Sequence, residues 1–458
     1  MAIEEVSVSF CTFGMFIIDE IEWNTPDPPP TKYDLIGGAG TYAVLGARLA
    51  VSPSVSLARS ISWIVDMGSD FPASVKDTID SWSTNCIFRH DMNRLTTRAW
   101  NGYGLNDWRD FKYLTPKVRL EVSSLNSSQI MSKSFHMVCS PQRCIDITTR
   151  LREARLKIGE SRSNPIIVWE PIPDLCSPEE LESLQIAAKN CSVISPNHDE
   201  LRLFFPEEKG ANQADLVMSF MGWTSSSQTE RGESVPVLIV REGSNGSTAY
   251  FRTKPAAEST SYGAPKQTTS EFRVVSVHLP AYHTPSTVDQ VVDPTGGGNT
   301  YLGALAVSMT DVHVRVLHPS LKAIYLSLGW VSESDLFCHG QASAVPLDMP
   351  SKMYNQIQTV VNAMIHANIA ASFAIEQNGV PALVSPESNM QHGAEVEGRS
   401  VKETWNGEAF LARLQTYLDR EASAIRQQIE QTKNMLRRDT MRNISPDRRG
   451  DPSDVRQK

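Results

Sequence analysis

Asp293-Pro294-Thr295-Gly296-Gly297-Gly298-Asn299-Thr300-Tyr301 is the stretch that decides how this chain is read. It stands between an apolar, strand-like run (Val288 to Val292) and an apolar, helix-like run from Tyr301 to Met309. A glycine turn leading from a strand into a helix is the geometry of an anion site. Glycines let backbone N–H groups converge on phosphate oxygens, and the helix N-terminus adds partial positive charge. The last position before the helix is where a base for phosphoryl transfer would stand. Asn299 holds it, and an amide accepts no proton near neutral pH.

Outward from this turn the chain alternates strands and helices. Val6 to Ile18 reads as a buried first strand with Asp19 just past its end. Tyr33 to Ile36 is a short strand entering Gly37-Gly38, and a helix follows from Thr41 to Leu49. Ser60 to Val65 is apolar, while Arg98 to Gly104 and Phe111 to Leu114 are aromatic strands of the kind that form a small projecting sheet. Strand–helix pairs continue through Phe135–Cys139, Pro165–Trp169, Ser192–Ser195 and Val235–Val240. Such alternation predicts an α/β fold with a largely parallel sheet covered on both faces. Ligands in these sheets bind beyond the carboxyl ends of the strands, where Asp19, Asn197, Gly243 and the triple glycine all fall. Thr253 to Ser270 and Ser385 to Ser400 read as loops, and Pro319 to Trp330 as helical.

A hydrophobic content of 40% and a charged content of 21% over 458 residues fit a folded protein of one large domain with extensions. The net charge of -9 argues against general binding to nucleic acid or to an anionic membrane. The acidic start lacks the pattern of a signal peptide, no long apolar span is present, and the seven cysteines follow no framework spacing. A cytoplasmic location is expected.

These stations, in this order over roughly residues 5 to 400, resemble the pfkB, or ribokinase-like, family of carbohydrate kinases. The family's glycine signature reads Asp-x-Thr-Gly-Ala-Gly-Asp. This chain matches at Asp293, Thr295, Gly296 and Gly298, with Gly297 for the Ala and Asn299 for the last Asp. Asn197 and Glu200 match an Asn-x-x-Glu motif, and Gly14 with Asp19 fits the first-strand pattern. Gly37-Gly38 fits the lid hinge, although Tyr42 stands where the family usually has Asn. The Asp-Pro-Thr-Gly-Gly-Gly-Asn turn is similar to that of the fungal maintenance-of-killer branch. The resemblance implies a Rossmann-type three-layer sandwich over residues 1–400, with a small β lid from strands near 22–37 and 95–115. It implies ATP-dependent transfer to a hydroxymethyl group of a sugar-like acceptor, slowed by Asn299, or a binding or assembly protein that lost the chemistry and kept nucleotide binding. Asn299 and Gly296–Gly298 would carry the phosphoryl chemistry. Asp19, Gly37, Gly38 and Tyr42 would face the acceptor, and Gly243, Gly246 and Asn368 the nucleotide. Asn197 and Glu200 would organise Mg2+ through water, with Asp293 and Thr295 beside a monovalent cation such as K+.

Blander readings stand beside these. Asn and Glu three apart also make a helix capping box. His136, Cys139 and Cys144 have spacing near that of a zinc site, but a buried thiol is the better reading. Residues 401–438 form a helical extension with apolar positions at Phe410, Leu414, Tyr417, Leu418, Ile425, Ile429 and Leu436. Beyond Arg420 this helix is expected to be dispensable for the core, and either solvated or available to a protein partner. Residues 439–458 are expected to be disordered.

Overall fold

A computed structural model describes residues 7–25, 27–105, 109–159, 164–208, 210–224, 236–253, 272–310, 349–385 and 402–444. The strands are β1 (Phe10–Thr12), β2 (Ile17–Asn24), β3 (Lys32–Gly37), β4 (Ser62–Met67), β5 (Asn85–His90), β6 (Arg98–Gly104) and β7 (Arg109–Tyr113). They continue as β8 (Ser134–Cys139), β9 (Ile166–Pro171), β10 (Val193–Ile194), β11 (Val237–Arg241), β12 (Ser247–Thr253) and β13 (Arg273–Leu279). The helices are α1 (Ala39–Ala50), α2 (Val55–Ala58), α3 (Ala73–Ser81), α4 (Ser127–Ile130), α5 (Pro141–Ile158) and α6 (Leu181–Ala188). After them come α7 (His198–Leu203), α8 (Gln213–Trp223), α9 (Gly297–Ser308), α10 (Met349–Ala374) and α11 (Phe410–Ile444).

The central sheet runs β1-β8-β9-β10-β11-β12-β13. It is parallel from β1 to β11 and closes with antiparallel β12 and β13. The Val237-Leu238-Ile239-Val240 run shows why a sheet buried on both faces forms here, since β-branched and aliphatic side chains alternate between its two sides. Val237 and Ile239 enter the core formed with α1, α9, α10 and α11. Leu238 and Val240 enter the core formed with α5, α6, α7 and α8. The result is three layers. A second sheet, β3-β2-β6-β7, is the small lid.

Two contacts place the crevice. A Cβ on Gly46 would come 1.9 Å from the Thr300 carbonyl, and one on Gly303 would come 1.8 Å from that of Ala43. Helices α1 and α9 therefore touch backbone to backbone, and their N-termini open onto one crevice beneath the lid.

Several sequence expectations are corrected. The first apolar run is two strands. Gly14 packs on Gly40, where a Cβ would lie 2.5 Å from the Gly40 nitrogen, and the chain bends there from the central sheet into the lid. Asp19 consequently lies inside lid strand β2 rather than past the end of a core strand. Val288 to Val292 is a 3-10 turn and a loop, with Val288 and Val292 exposed. Strands β12 and β13 run antiparallel at one edge of the sheet, which the strand–helix alternation does not predict. Beyond Arg420, helix α11 packs on its own chain: Ile425 and Ile429 are 1% and 2% exposed within the main core. Gln428 accepts from the His278 backbone N–H and donates to the His278 carbonyl, at 2.9 and 3.0 Å, so that side chain closes the open edge of β13. The helix runs to Ile444, into the stretch expected to be disordered; residues 445–458 lie outside the described residues. So do the expected loops at 254–270 and 386–400 and the expected helix at 319–330.

Candidate functional site

Helix α9 is preceded by its N-cap Gly296, whose φ of 80° suits glycine and strains any other residue. The Gly297 and Thr300 amides are taken by the Pro294 and Gly296 carbonyls. Among the described residues, the Gly298 and Asn299 amides have no backbone acceptor. They are the donors an anion would use. The Tyr42 ring lies on the turn, 2.4 Å from where a Gly296 Cβ would be. Its bulk fills the place where the family usually has Asn.

Below the turn is a buried charge cluster that the sequence did not announce. The Asn299 side-chain amide donates to Glu170 Oε2. Glu170 Oε1 is 2.8 Å from Arg241 Nη2, and the same Nη2 reaches Glu200 Oε2 at 3.3 Å and the Ser195 carbonyl at 3.1 Å. A Cβ on Gly298 would sit 2.2 Å from Arg241 Nη1, so the guanidinium lies directly against the turn. His136 Nε2 is 3.8 Å from Glu170 Oε2. Burial pushes the Glu170 carboxyl up, but Arg241 and His136 outweigh it and hold the group below its ordinary value. Burial lifts the Glu200 carboxyl to about 7, with Arg241 pulling it down and Glu170 pushing it up. Glu170 lies one residue before the end of β9 and Arg241 ends β11; a charged residue directly after a buried apolar run is the signal that points to them.

Asn197 and Glu200 form the capping box of α7. The Asn197 side chain accepts from the Glu200 N–H at 2.8 Å, and Glu200 Oε2 accepts from the Asn197 N–H at 2.8 Å. These side chains do not fit the magnesium that the resemblance implies. Asn197 Oδ1 and Glu200 Oε2 are both engaged, and the cationic guanidinium is already the charge partner of Glu200 and Glu170. At an effective dielectric of about 20, like charges roughly 4 Å apart repel by about 4 kcal/mol per unit charge, and more for a divalent ion.

Above the turn the lid touches it. The Tyr103 hydroxyl of β6 bonds Thr295 Oγ1 and lies 3.3 Å from Asp293 Oδ1. Asn378 donates to Asp293 Oδ2 at 3.2 Å and accepts from Lys32 at 2.7 Å. The oxygens expected beside a monovalent cation are thus taken by the lid and by the loop after α10. Asp19 is 8% exposed, and burial raises its carboxyl to about 7, the Asn101 amide lowering it and Asp293 raising it. A Cβ on Gly37 would collide with its carboxylate, and Gly38 opens α1 at a φ of 90°. Asn101 faces Asp19 without closing a bond of good geometry: among the described residues, Asp19 Oδ1 and Asn101 Nδ2 have no hydrogen-bond partner. Neither do Thr41 Oγ1, Thr300 Oγ1 and His136 Nε2. Buried polar atoms ordinarily find partners, so those of Asp19, Asn101, Thr41 and Thr300 are free to take a polar ligand or water.

The expected nucleotide residues meet at Pro280. A Cβ on Gly246 would strike the Leu279 carbonyl beside it, while Gly243 opens the same turn between β11 and β12. Asn368 donates to the Pro280 carbonyl at 3.1 Å and to the Tyr417 hydroxyl at 3.2 Å. Tyr417 of α11 donates to the same carbonyl at 2.8 Å. Asn368 is therefore bonded to the C-terminal helix. The three zinc-like residues do not converge: among the described residues no cluster of three or more His, Cys, Asp or Glu could hold a metal. No described helix is long and apolar enough to cross a membrane.

No family model matches the chain. It is 32% identical over 422 residues to Protein MAK32 of Saccharomyces cerevisiae, covering 89% of this chain and 91% of that protein. It is 29% identical over 428 residues to an uncharacterized protein of Schizosaccharomyces pombe, covering 92% and 96%. Its fold is similar to that of ribokinase from Giardia lamblia, with a TM-score of 0.53 and 13% identity over 81% of this chain and 95% of that one. An apo E. coli protein described as a candidate Ribokinase II gives a TM-score of 0.50 and 15% identity over 90% and 99%. Identities this low speak for the fold alone. Over 89% of its length the chain belongs to the same family as Protein MAK32, and it carries its glycine turn on a ribokinase-like fold.

Proposed function

We propose that this chain binds a phosphorylated, hydroxyl-rich small molecule, a sugar phosphate in chemical class, and has lost efficient phosphoryl transfer. The observation that carries the reading is the bond from the Asn299 amide to Glu170. The base position holds an amide, and the nearest carboxylate is bound by Asn299 and Arg241. Three further features support a binding role. The Gly298 and Asn299 amides are open to a phosphate. Asp19 Oδ1 and Asn101 Nδ2 await hydroxyls. Asn368 at the nucleotide end is held by Tyr417, which disfavours a second, adenine-bearing ligand.

A specific observation favours a second reading, slow ATP-dependent transfer to a hydroxymethyl group. Glu170 stays ionised next to the turn, and phosphoryl transfer leans on positioning and electrostatics more than on a base. Calorimetry with ribose 5-phosphate, ribose and ATP, followed by single-turnover transfer from ATP, separates the two. Binding of the sugar phosphate without transfer is the expected result. Turnover of any sugar at or above about 1 s⁻¹, the low end of ordinary enzyme rates, would sink the binding reading.

A further inference from the structure

We propose that Arg241 takes the place of a divalent metal ion in this site, so that its phosphate-bearing ligand is held without magnesium. The inference rests on the binding role proposed above and adds the chemistry of its charge partner.

The carboxylate contacts make the argument. Glu170 Oε1 and Glu200 Oε2 converge on the single nitrogen Arg241 Nη2, at 2.8 and 3.3 Å. The latter oxygen also accepts from the Asn197 amide, and Asn197 Oδ1 is closed by the Glu200 N–H. Both side chains of the Asn-x-x-Glu motif are thus engaged by the helix cap and by a fixed cation. The other guanidinium nitrogen, Nη1, packs against Gly298, whose amide has no backbone acceptor among the described residues. Arg241 Nε is buried and has no partner among the described residues. The guanidinium has five N–H donors in a rigid fork matched to carboxylate and phosphate. It is therefore positioned to hold two carboxylates and still offer charge and a donor to a phosphoryl oxygen. A magnesium ion at Glu200 would have to displace it.

The test uses the full-length chain, its Arg241→Met variant, and the Glu170→Gln/Arg241→Met double variant. The double variant guards against a fold weakened by an uncompensated Glu170. Mn2+ binding is read by electron paramagnetic resonance, and binding of inorganic phosphate and ribose 5-phosphate by calorimetry in EDTA and in Mg2+. The wild type is expected to leave Mn2+ free, and to bind its phosphate ligand with the same affinity in EDTA and in Mg2+. Removing the guanidinium should weaken binding in EDTA by about tenfold or more, the scale of a charge-assisted hydrogen bond. Arg241→Met should then gain Mn2+ at the vacated carboxylates and recover affinity when Mg2+ is added. Stoichiometric Mn2+ on the wild type, or a tenfold gain in its phosphate affinity with Mg2+, overturns the inference. If no phosphate ligand binds any form, the proposed function falls. The Mn2+ comparison between wild type and Arg241→Met still decides the role of Arg241.

Discussion

Restoring the family carboxylate, Asn299→Asp, should damage this protein rather than repair it. The Asn299 amide donates to Glu170 Oε2, so the substitution sets a second carboxylate against one that Arg241 and His136 hold ionised. Two unit charges roughly 4 Å apart at an effective dielectric of about 20 repel by about 4 kcal/mol. Taking up a proton is the alternative, and from a reference pKa of about 3.9 it costs about 4 kcal/mol at pH 7. Either route predicts a loss of about 3–4 kcal/mol at pH 7. The sign with pH follows. The new carboxyl has a folded pKa raised above its unfolded value, so the loss is absent below about pH 4 and grows as pH rises through the folded pKa. Urea unfolding of wild type, Asn299→Asp and Asn299→Asp/Glu170→Gln at pH 4 and pH 7 measures it. The double variant should recover most of the stability, because the amide introduced on β9 can donate to the carboxylate introduced on the turn, a mirror of the native bond. A loss below about 1 kcal/mol at pH 7, or no recovery with Glu170→Gln, would refute the reasoning. The double variant also puts a usable carboxylate at the base position, and so is the form in which transfer should be sought.

Asp19 carries a cost of its own. Its carboxyl is raised to about 7 by burial, so the stability it contributes is full below about pH 4 and is lost as pH rises toward 7. Asp19→Asn should therefore be more stable than wild type at pH 8 by on the order of 3 kcal/mol and nearly equal to it at pH 4, in urea titrations. Truncation after Arg420 removes buried Ile425 and Ile429 and uncovers the β13 edge. A loss of about 3–6 kcal/mol is expected, read as a lower melting temperature and a shift to larger species in size-exclusion chromatography. Tyr103→Phe removes the lid's hydroxyl contact with Thr295. It should cost about 1 kcal/mol and speed amide exchange in β6 and β7 while leaving β9 and β11 protected.

The glycine turn, the Asn-x-x-Glu cap and the strand–helix alternation were legible because each is a local pattern with one physical meaning. The charge cluster was not. Asn299 and Glu170 are 129 positions apart, and nothing near either residue announces the other. The split of the first strand was hidden because apolar residues run through Gly14. Only the close approach of Gly40 reveals that the chain must turn there, and so that Asp19 belongs to the lid. Val288 and Val292 misled in the opposite sense: β-branched residues suggested a strand, but they are 54% and 58% exposed on a turn and loop outside the described sheets. The period of the C-terminal helix was readable. That its later, more charged turns bury Ile425 and Ile429 in the chain's own core depends on α10 and β13, which no helical period encodes.

Asn299 and Arg241 are electrically matched to one another. The site that the resemblance implies, with Asp at the base position and a divalent ion at the Asn-x-x-Glu motif, would set acidic charge against the ion. Here Asn299 removes one negative charge from the turn, and Arg241 supplies one positive charge to Glu170 and Glu200. Restoring the Asp alone leaves three acidic groups around one guanidinium. Removing the guanidinium alone leaves two carboxylates buried without a counter-charge, which costs several kcal/mol. Neither charge can be changed singly without a penalty comparable to a large share of the roughly 5–15 kcal/mol that ordinarily holds a domain together. The amide at position 299 and the arginine at position 241 are therefore coupled through Glu170. On the binding role proposed above, they set a fixed cation beside an open anion turn, an arrangement suited to holding a phosphate rather than moving it.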